Sequence, residues 1–215
     1  MVVVDDASGS ADALVEFAAT SSRFESAART GNLYPGLLGP APKTYVHDLV
    51  QHVLPLIAAH FGGGPVAPVR ARGNFSLVTT PPDALLPDQR IPHVDTADRL
   101  QFAVVHFLSR DARAGTGFFR HRATGFETID GPRLPRYRAQ VDRELATLPV
   151  DDRCYPGGDD AFFEQIGAVE ARYDRLVLYR AALLHSGLIS APPPDAANPR
   201  RGRLTGNLFL QCRPR

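Results

Sequence analysis

The stretch PHVDTADRLQFAVVHFL, residues 92–108, decides the reading of this chain: a His93-Val94-Asp95 triplet runs into a largely apolar segment, Phe102 to Leu108, rich in β-favouring residues. Pro92 biases the residue before it toward an extended backbone. Side chains alternate faces along a strand, so His93 and Asp95, two positions apart, point to the same side. Two ligand-type side chains on one face, leading into an apolar run, describe a strand end at the mouth of a barrel.

Outward from this stretch the pattern stays strand-like. Upstream lie short β-rich runs at Val66 to Val69 and Phe75 to Thr79, and downstream at Gly117 to Arg120 and Phe126 to Ile129, with turn signals such as Thr80-Pro81-Pro82-Asp83 and Asp130-Gly131-Pro132 between them. Apolar spacing then reads as helical over Arg136 to Leu148 and Asp160 to Val169, before strands return at Arg175 to Tyr179, Leu183 to Ile189 and Leu204 to Cys212. Residues 191–199 are proline-rich and read as a surface loop, because consecutive prolines cannot serve a central ladder. Before all of this, helical spacing runs from Ala11 to about Thr30, with Gly31-Asn32 as the stop, and from about Thr44 to His60, ended by three glycines at 62–64. The expectation is one domain over 1–215, mainly β with flanking helices (α+β). Support helices occupy 1–64, and a jelly-roll or cupin-like core fills 65–215, with a helical insertion around 136–170.

Composition bounds the function. The 215 residues suit a single core. With 24 basic against 23 acidic residues there is no broad attraction to phosphate backbones or anionic lipid, so neither nucleic acid nor a membrane is an expected partner. No apolar stretch approaches the roughly 18 residues of a membrane helix. Met1 to Asp6 is too short an apolar run, and too acidic, for a secretory leader. Cys154 and Cys212 form neither a disulfide framework nor a CxxC pair, and the expected location is cytoplasmic.

A third ligand type for the His93/Asp95 pair is His185, 90 positions beyond Asp95 on the apolar run Leu183 to Leu188. Two histidines and one carboxylate are the minimum protein set for holding a ferrous ion on one face while the other positions stay open. Taken alone, His185 reads as a hydrogen-bonded core histidine, and a His-x-Asp triplet occurs by chance. The weight lies in the ordered set, which ends with Arg203 and Thr205 on one strand face, where they can hold a carboxylate by charge-assisted hydrogen bonds. Tyr179, on the strand before His185, reads either as a reach toward such a ligand or as a buried tyrosine with a satisfied hydroxyl. His47, His52 and His60 read as surface or packing residues of the second helix, and His106 as core packing. His121, between Arg120 and Arg122, reads as part of a solvated basic edge, with binding of an acidic substrate as the alternative.

The order His93-x-Asp95, His185, Arg203-x-Thr205 resembles the Fe(II)- and 2-oxoglutarate-dependent dioxygenases, a superfamily built on the double-stranded β-helix. The texture is closest to the prolyl-hydroxylase-like branch and to bacterial members of mostly unassigned substrate. The apolar strand Phe102 to Leu108, the Gly115-Thr-Gly-Phe-Phe119 turn and strand, Arg175 to Tyr179, and Gly202 to Phe209 carry the likeness over roughly Phe75 to Gln211. The connection from His185 to Arg203 is longer than the family usually shows, which leaves Arg200 or Arg201 as alternative clamps. The resemblance implies Fe(II) held by His93, Asp95 and His185, and 2-oxoglutarate held at its far carboxylate by Arg203 and Thr205. Oxygen takes the remaining position, and an amino acid, peptide or small natural-product intermediate is hydroxylated.

Two other classes stand beside it: a cupin-type metalloenzyme, isomerase or hydrolase, that uses no 2-oxoglutarate, and a non-catalytic ligand-binding barrel. The apolar faces of the N-terminal helices leave a homodimer open.

Overall fold

The computed structural model describes residues 1–110, 115–147 and 154–215. Among these, strands dominate. A seven-stranded antiparallel sheet is ordered β1 (Val2–Val4), β8 (Arg175–Arg180), β5 (Gln101–Phe107), β10 (Leu204–Pro214), β4 (Val66–Val78), β3 (Gly36–Pro40), β2 (Glu25–Ser26). A three-stranded antiparallel sheet is ordered β7 (Phe163–Glu170), β6 (Gly115–His121), β9 (His185–Leu188). Three α-helices flank them: α1 (Ala11–Thr20), α2 (Lys43–His60) and α3 (Leu134–Leu145). No helix of the described residues is long and apolar enough to cross a membrane.

The alternation of side chains sorts the layers. Phe102 and Val104 of β5, Leu176 and Leu178 of β8, Leu204, Leu208 and Leu210 of β10, and Phe75 and Leu77 of β4 pack against α1 and α2. Their neighbours Ala103, Phe107, Val177 and Tyr179 face the other way, onto Phe118 of β6 and Val169 of β7. The second sheet in turn covers its outer face with α3, through Phe119, Phe163, Tyr137 and Val141. Ser76 of β4 and Thr205 and Asn207 of β10 fall on the inner face, between the sheets, where they set the chemistry described below.

Several elements differ from the sequence reading, each for a local reason. The expected helix over Ala11 to Thr30 closes at Thr20, where the N–H groups of Ser21 and Ser22 both return to the Phe17 carbonyl. A two-residue strand and a 3-10 turn over Ala27–Thr30 follow, and Gly31 ends that turn at φ 71°. The two short runs at 66–69 and 75–79 are one strand, because β10 pairs with all of it, from Leu204↔Leu77 to Pro214↔Val66. Residues 126–129 form isolated bridges, Phe126 with His121 and Thr128 with Leu183, in place of a strand. The expected helix over Asp160 to Val169 is strand β7. Phe118 pairs with Gly167 and Phe119 with Gln165, so Ile166 is bulged out. The bulge shifts the alternation by one, so that Phe163 faces α3 while Val169 faces the large sheet, and the resulting apolar spacing imitates a helix. Only α3 of the expected helical insertion is therefore helical, and Leu148 at its expected end lies outside the described residues. Strands β1 and β3 were not anticipated by the sequence.

Two histidines read as packing or surface residues are instead buried in polar networks. His121 is buried on β6, with Nε2 2.7 Å from Glu144 of α3 and Nδ1 2.9 Å from the Thr124 hydroxyl. It is not part of a solvated edge, because its flanking arginines point to the opposite face, where Arg120 pairs with Glu127 and Glu164. His106 sits on the helix-facing side of β5, 2.9 Å from the Tyr45 hydroxyl and 2.8 Å from Asp174. Burial lowers the His106 pKa despite the carboxylate beside it. The neutral ring then accepts from Tyr45 and donates to Asp174, whose carboxylate also accepts the N–H groups of Ser8 and Gly9.

Burial works to raise the Asp174 pKa, but the hydrogen bonds from Ser8, His106 and Gly9 outweigh it and hold the group below its ordinary value. The stabilisation is thus present above the unfolded-state pKa and is lost as pH falls through the folded one. Replacing Asp174 with alanine is expected to lower the unfolding free energy by about 3 kcal/mol, since the buried His106 ring and the N–H groups of Ser8 and Gly9 all lose their acceptor. Denaturant titration measures this, and a loss below about 1 kcal/mol would remove the network from the account of how the N-terminal segment is anchored.

Candidate metal centre

Ile91 is extended, at φ −127° and ψ 155°, as Pro92 requires of its predecessor. The chain then meets β9 at a single antiparallel bridge between His93 and His185, whose N–H groups donate to each other's carbonyls at 2.9 Å in both directions. The two imidazoles therefore start as direct cross-strand neighbours, with ring centroids 4.5 Å apart. Asp95 is fixed two residues on by its N–H to the Ala181 carbonyl, 2.9 Å. This brings its carboxylate 3.9 Å from Nε2 of His93 and 3.7 Å from Nε2 of His185. One ligand atom from each of the three residues lies within 4.8 Å of the others.

The donor set fits a divalent first-row ion. Nδ1 of His185 lies 2.8 Å from the Leu183 carbonyl, which takes its proton and leaves the Nε2 lone pair facing the cluster. Burial lowers the His185 pKa to about 4 and raises that of Asp95 to about 6. His93 is shifted downward by the burial of its inner edge and by the neighbouring imidazole, although its side chain is 53% exposed. At neutral pH both imidazoles are thus neutral and the carboxylate is charged, the protonation state that metal coordination needs.

The other sequence candidates gather on the inner face beside this cluster. Tyr179 is buried against Phe118 and lies 4.7 Å from the His185 ring, between centroids. Burial raises its pKa, with the Asp95 carboxylate adding to the shift and the Arg203 guanidinium opposing it, so the phenol stays neutral between the two. Arg203 immediately precedes β10, stands 5.9 Å from the Phe107 ring and donates through one terminal nitrogen to the Gly115 carbonyl at 3.1 Å. That end of the guanidinium lies over Gly187 of β9, two residues from His185, at 3.6 Å from where a Cβ there would stand. Its Nε is buried with no hydrogen-bond partner among the described residues. The neighbouring arginines are committed elsewhere: Arg200 to Glu16 of α1 at 2.8 and 2.9 Å, and Arg201 to Asp195 at 2.8 Å. Arg203 also borders a cavity of about 260 Å³ roofed by Pro192, Pro193 and Pro194.

Three residues of this region were not singled out from the sequence. Ser76 and Asn207 join Thr205 in a hydrogen-bonded group, with Ser76 Oγ 2.7 Å from Thr205 Oγ1 and 2.8 Å from Asn207 Nδ2. Period-two reading of Phe75 to Val78 and Leu204 to Leu210 marks both as polar positions on an otherwise apolar strand. Tyr34, from the segment before β3, is half-buried, and its buried hydroxyl lies beside Ser76, Thr205 and Arg203. Nothing in the local pattern around Tyr34 marks it.

The chain belongs to a family of unknown function (DUF6445), whose model matches residues 1–210. No curated protein matches it. Among solved structures it is similar in fold to HygX from Streptomyces hygroscopicus, a structure with nickel and 2-oxoglutarate bound, at a TM-score of 0.52 and 12% identity over 98% of this chain and 82% of that one. The non-heme alpha-ketoglutarate-dependent epimerase SnoN from nogalamycin biosynthesis aligns at 0.48 and 13% identity, over 98% and 77%. A Pseudomonas putida prolyl-4-hydroxylase aligns at 0.41 and 14% identity, over 94% and 99%.

Titration of the protein with Mn(II), or with Fe(II) under anaerobic conditions, is expected to give one ion per chain. Alanine at His185 or Asp95 should weaken binding by at least about a hundredfold, since each removes a direct ligand from a set of three. Calorimetry reads this directly, and unchanged affinity in either variant would dissolve the assignment.

Proposed function

We propose that this protein is an Fe(II)- and 2-oxoglutarate-dependent oxygenase on a double-stranded β-helix, acting on an amino acid, a peptide or a small natural-product intermediate. The observation that carries the reading is the pairing of the His93/Asp95/His185 cluster with an inward-facing arginine that has no carboxylate partner among the described residues. HygX, of the same fold, holds nickel and 2-oxoglutarate, which supports the same pair of ligands here.

In this reading His93, Asp95 and His185 grip the ion from one side, and the Leu183 carbonyl keeps the His185 ring in the ligating tautomer. Arg203 takes the far carboxylate of the keto acid by charge-assisted hydrogen bonds, with hydroxyl side chains beside it. Tyr179 and Phe118 wall the space between the two and exclude water from it. Bound there, iron and 2-oxoglutarate would supply oxidative decarboxylation of the keto acid by O₂, coupled to oxidation of a C–H bond of the second substrate. The chain's own share is orientation and a dry pocket.

Anaerobic addition of Fe(II) to the apoprotein should produce a weak visible charge-transfer band only when 2-oxoglutarate is also present. Asp95→Ala should abolish the band, and Arg203→Ala should raise the 2-oxoglutarate concentration needed by about a hundredfold or more, the cost of removing the charged partner from a buried carboxylate. Tight metal binding with no band at any 2-oxoglutarate concentration would instead favour a cupin-type metalloenzyme, and failure to bind metal would leave a ligand-binding barrel.

A further inference from the structure

Ser76 is fixed on the inner face of the large sheet by its 2.7 Å hydrogen bond to Thr205, and alternation along β4 puts Asn74, Arg72 and Arg70 on that face with it. The pairing of β10 with β4 is unbroken from Leu204↔Leu77 to Gln211↔Arg70, so Arg72 stands opposite Phe209 and Arg70 opposite Gln211. Phe209 pairs in turn with Ala103, and Ala103 with Tyr179, whose ring lies 4.7 Å from that of His185. One row of the sheet thus runs from the metal cluster to Arg72 across three strand spacings, about 14 Å. Gln211 donates to Asp98 at 3.1 Å, so the segment that carries Asp95 also reaches this face, next to Arg70. β3 pairs with β4 only over Asn74 to Val78, and both arginines are exposed beyond its end. Among the described residues neither forms an ion pair, whereas Arg120, Arg175 and Arg200 are all held by carboxylates. Charges on an uncovered strand edge also discourage edge-to-edge pairing. That role has no preference between faces, yet the opposite face here carries Ala71 and Val69, the latter 59% exposed.

Resting on the oxygenase reading above, we infer that the primary substrate carries an oxyanion, a carboxylate or a phosphate, which Arg72 and Arg70 hold while its apolar part crosses Phe209 toward the cluster. An oxyanion only accepts, and two guanidiniums two residues apart offer it forked donors. Phe209 is partly buried in the apolar cluster with Ala103 and Tyr179, so the path between charge and metal is apolar. With the arginine side chains reaching back along the row, the anion is kept on the order of 10 Å from the ion, and the C–H bond that is oxidised lies several atoms from the charge. The same face continues past β4 onto β3, through Asn74↔Pro40 and Ser76↔Leu38. A cavity of about 420 Å³ lies against that extension, lined by Arg23, Glu25, Leu38, Pro40 and Asn74, a size that suits a small molecule. This site is separate from Arg203, which precedes β10, whereas Arg72 meets that strand at Phe209, about 20 Å further along it.

The test uses three probes of similar body, phenylacetate, phenyl phosphate and the neutral benzyl alcohol, titrated into the Mn(II)-loaded protein with 2-oxoglutarate present. Wild type should bind at least one anion about tenfold or more tighter than benzyl alcohol, as charge-assisted hydrogen bonds at a partly open site provide, and the tighter of the two tells carboxylate from phosphate. Relaxation of the ligand nuclei by Mn(II) should place the charged end on the order of 10 Å from the ion. The double variant Arg70→Gln/Arg72→Gln should lose the preference for the anion while keeping its affinity for Mn(II) and 2-oxoglutarate. Arg143→Gln, exposed on α3, should retain the preference. Equal binding of all three probes by wild type, or a charged end in direct contact with the ion, would overturn the assignment. So would a preference that survives in the double variant; self-association of that variant in light scattering would then give the two arginines to edge protection. If wild type takes up Mn(II) but no 2-oxoglutarate, the oxygenase reading fails by itself. The same titration without 2-oxoglutarate then decides the arginine site, upheld by a preference that the double variant loses and overturned by its absence.

Discussion

The site depends on one backbone pairing, the reciprocal N–H to carbonyl hydrogen bonds between His93 and His185. Residues 82–100 carry only short 3-10 turns before β5 begins, so little else fixes the approach of the chain. The pair makes the two histidines cross-strand neighbours, and the bond from Asp95 to the Ala181 carbonyl holds the third side chain in phase. β9 is itself registered on β6 through Phe118↔His185, so the cluster inherits the rigidity of the smaller sheet. Backbone register is all-or-none: a slip of one residue would send His93 and Asp95 to the opposite face. Residues far apart in the chain are thus brought together by main-chain geometry before any ion contributes.

The larger sheet divides its two faces between stability and chemistry. On the helix side its residues are almost wholly apolar, and the one histidine there, His106, has both ring nitrogens engaged. On the inner side the same strands carry Ser76, Tyr179, Thr205 and Asn207, a costly set to bury that the fold tolerates by closing most of it into mutual hydrogen bonds. Among the described residues of this region, Nε of Arg203 is left without a partner. Local violations of polar satisfaction concentrate where proteins bind or react, because a group satisfied by its own chain has nothing to offer a ligand.

The legible part of this structure was the part written in short-range spacing. His93 and Asp95 two apart after a proline, the apolar runs of β5 and β8, and an arginine opening the last strand all have a period of two, and the structure has them in strands or directly beside strands. The expectation of an oxygenase rests on that ordered set together with a family resemblance. Strand β7 was misread because a single bulged residue, Ile166, turns a period of two into a spacing near that of a helix. His121 was misread because its arginine neighbours suggested water on both sides, whereas alternation turns it toward α3. Tyr34 was invisible for a different reason: its position beside Arg203 is set by the pairing of β3 with β4, a contact that no pattern around residue 34 encodes.

The proline-rich segment between His185 and Arg203 raised the question of whether a long insert had displaced the last strand and passed its role to another arginine. Arg200 and Arg201 are paired with Glu16 and Asp195, and the last strand is not displaced. The insert folds back on itself by successive turns, with Ala196 N–H to the Pro193 carbonyl at 3.0 Å and Gly202 N–H to the Asn198 carbonyl at 2.7 Å, and so returns the chain to the sheet. From Leu204 onward β10 is held on both sides, by β4 and by β5, which leaves no freedom in register. The extra length instead roofs the cavity beside Arg203, while the His93 ring, 53% exposed against 7% for His185, leaves the cluster open on the side of the 82–100 segment. In the proposed oxygenase, cosubstrate and primary substrate would therefore meet the centre from different sides, and the residues that select the primary substrate should be sought around 82–100 rather than in the prolines.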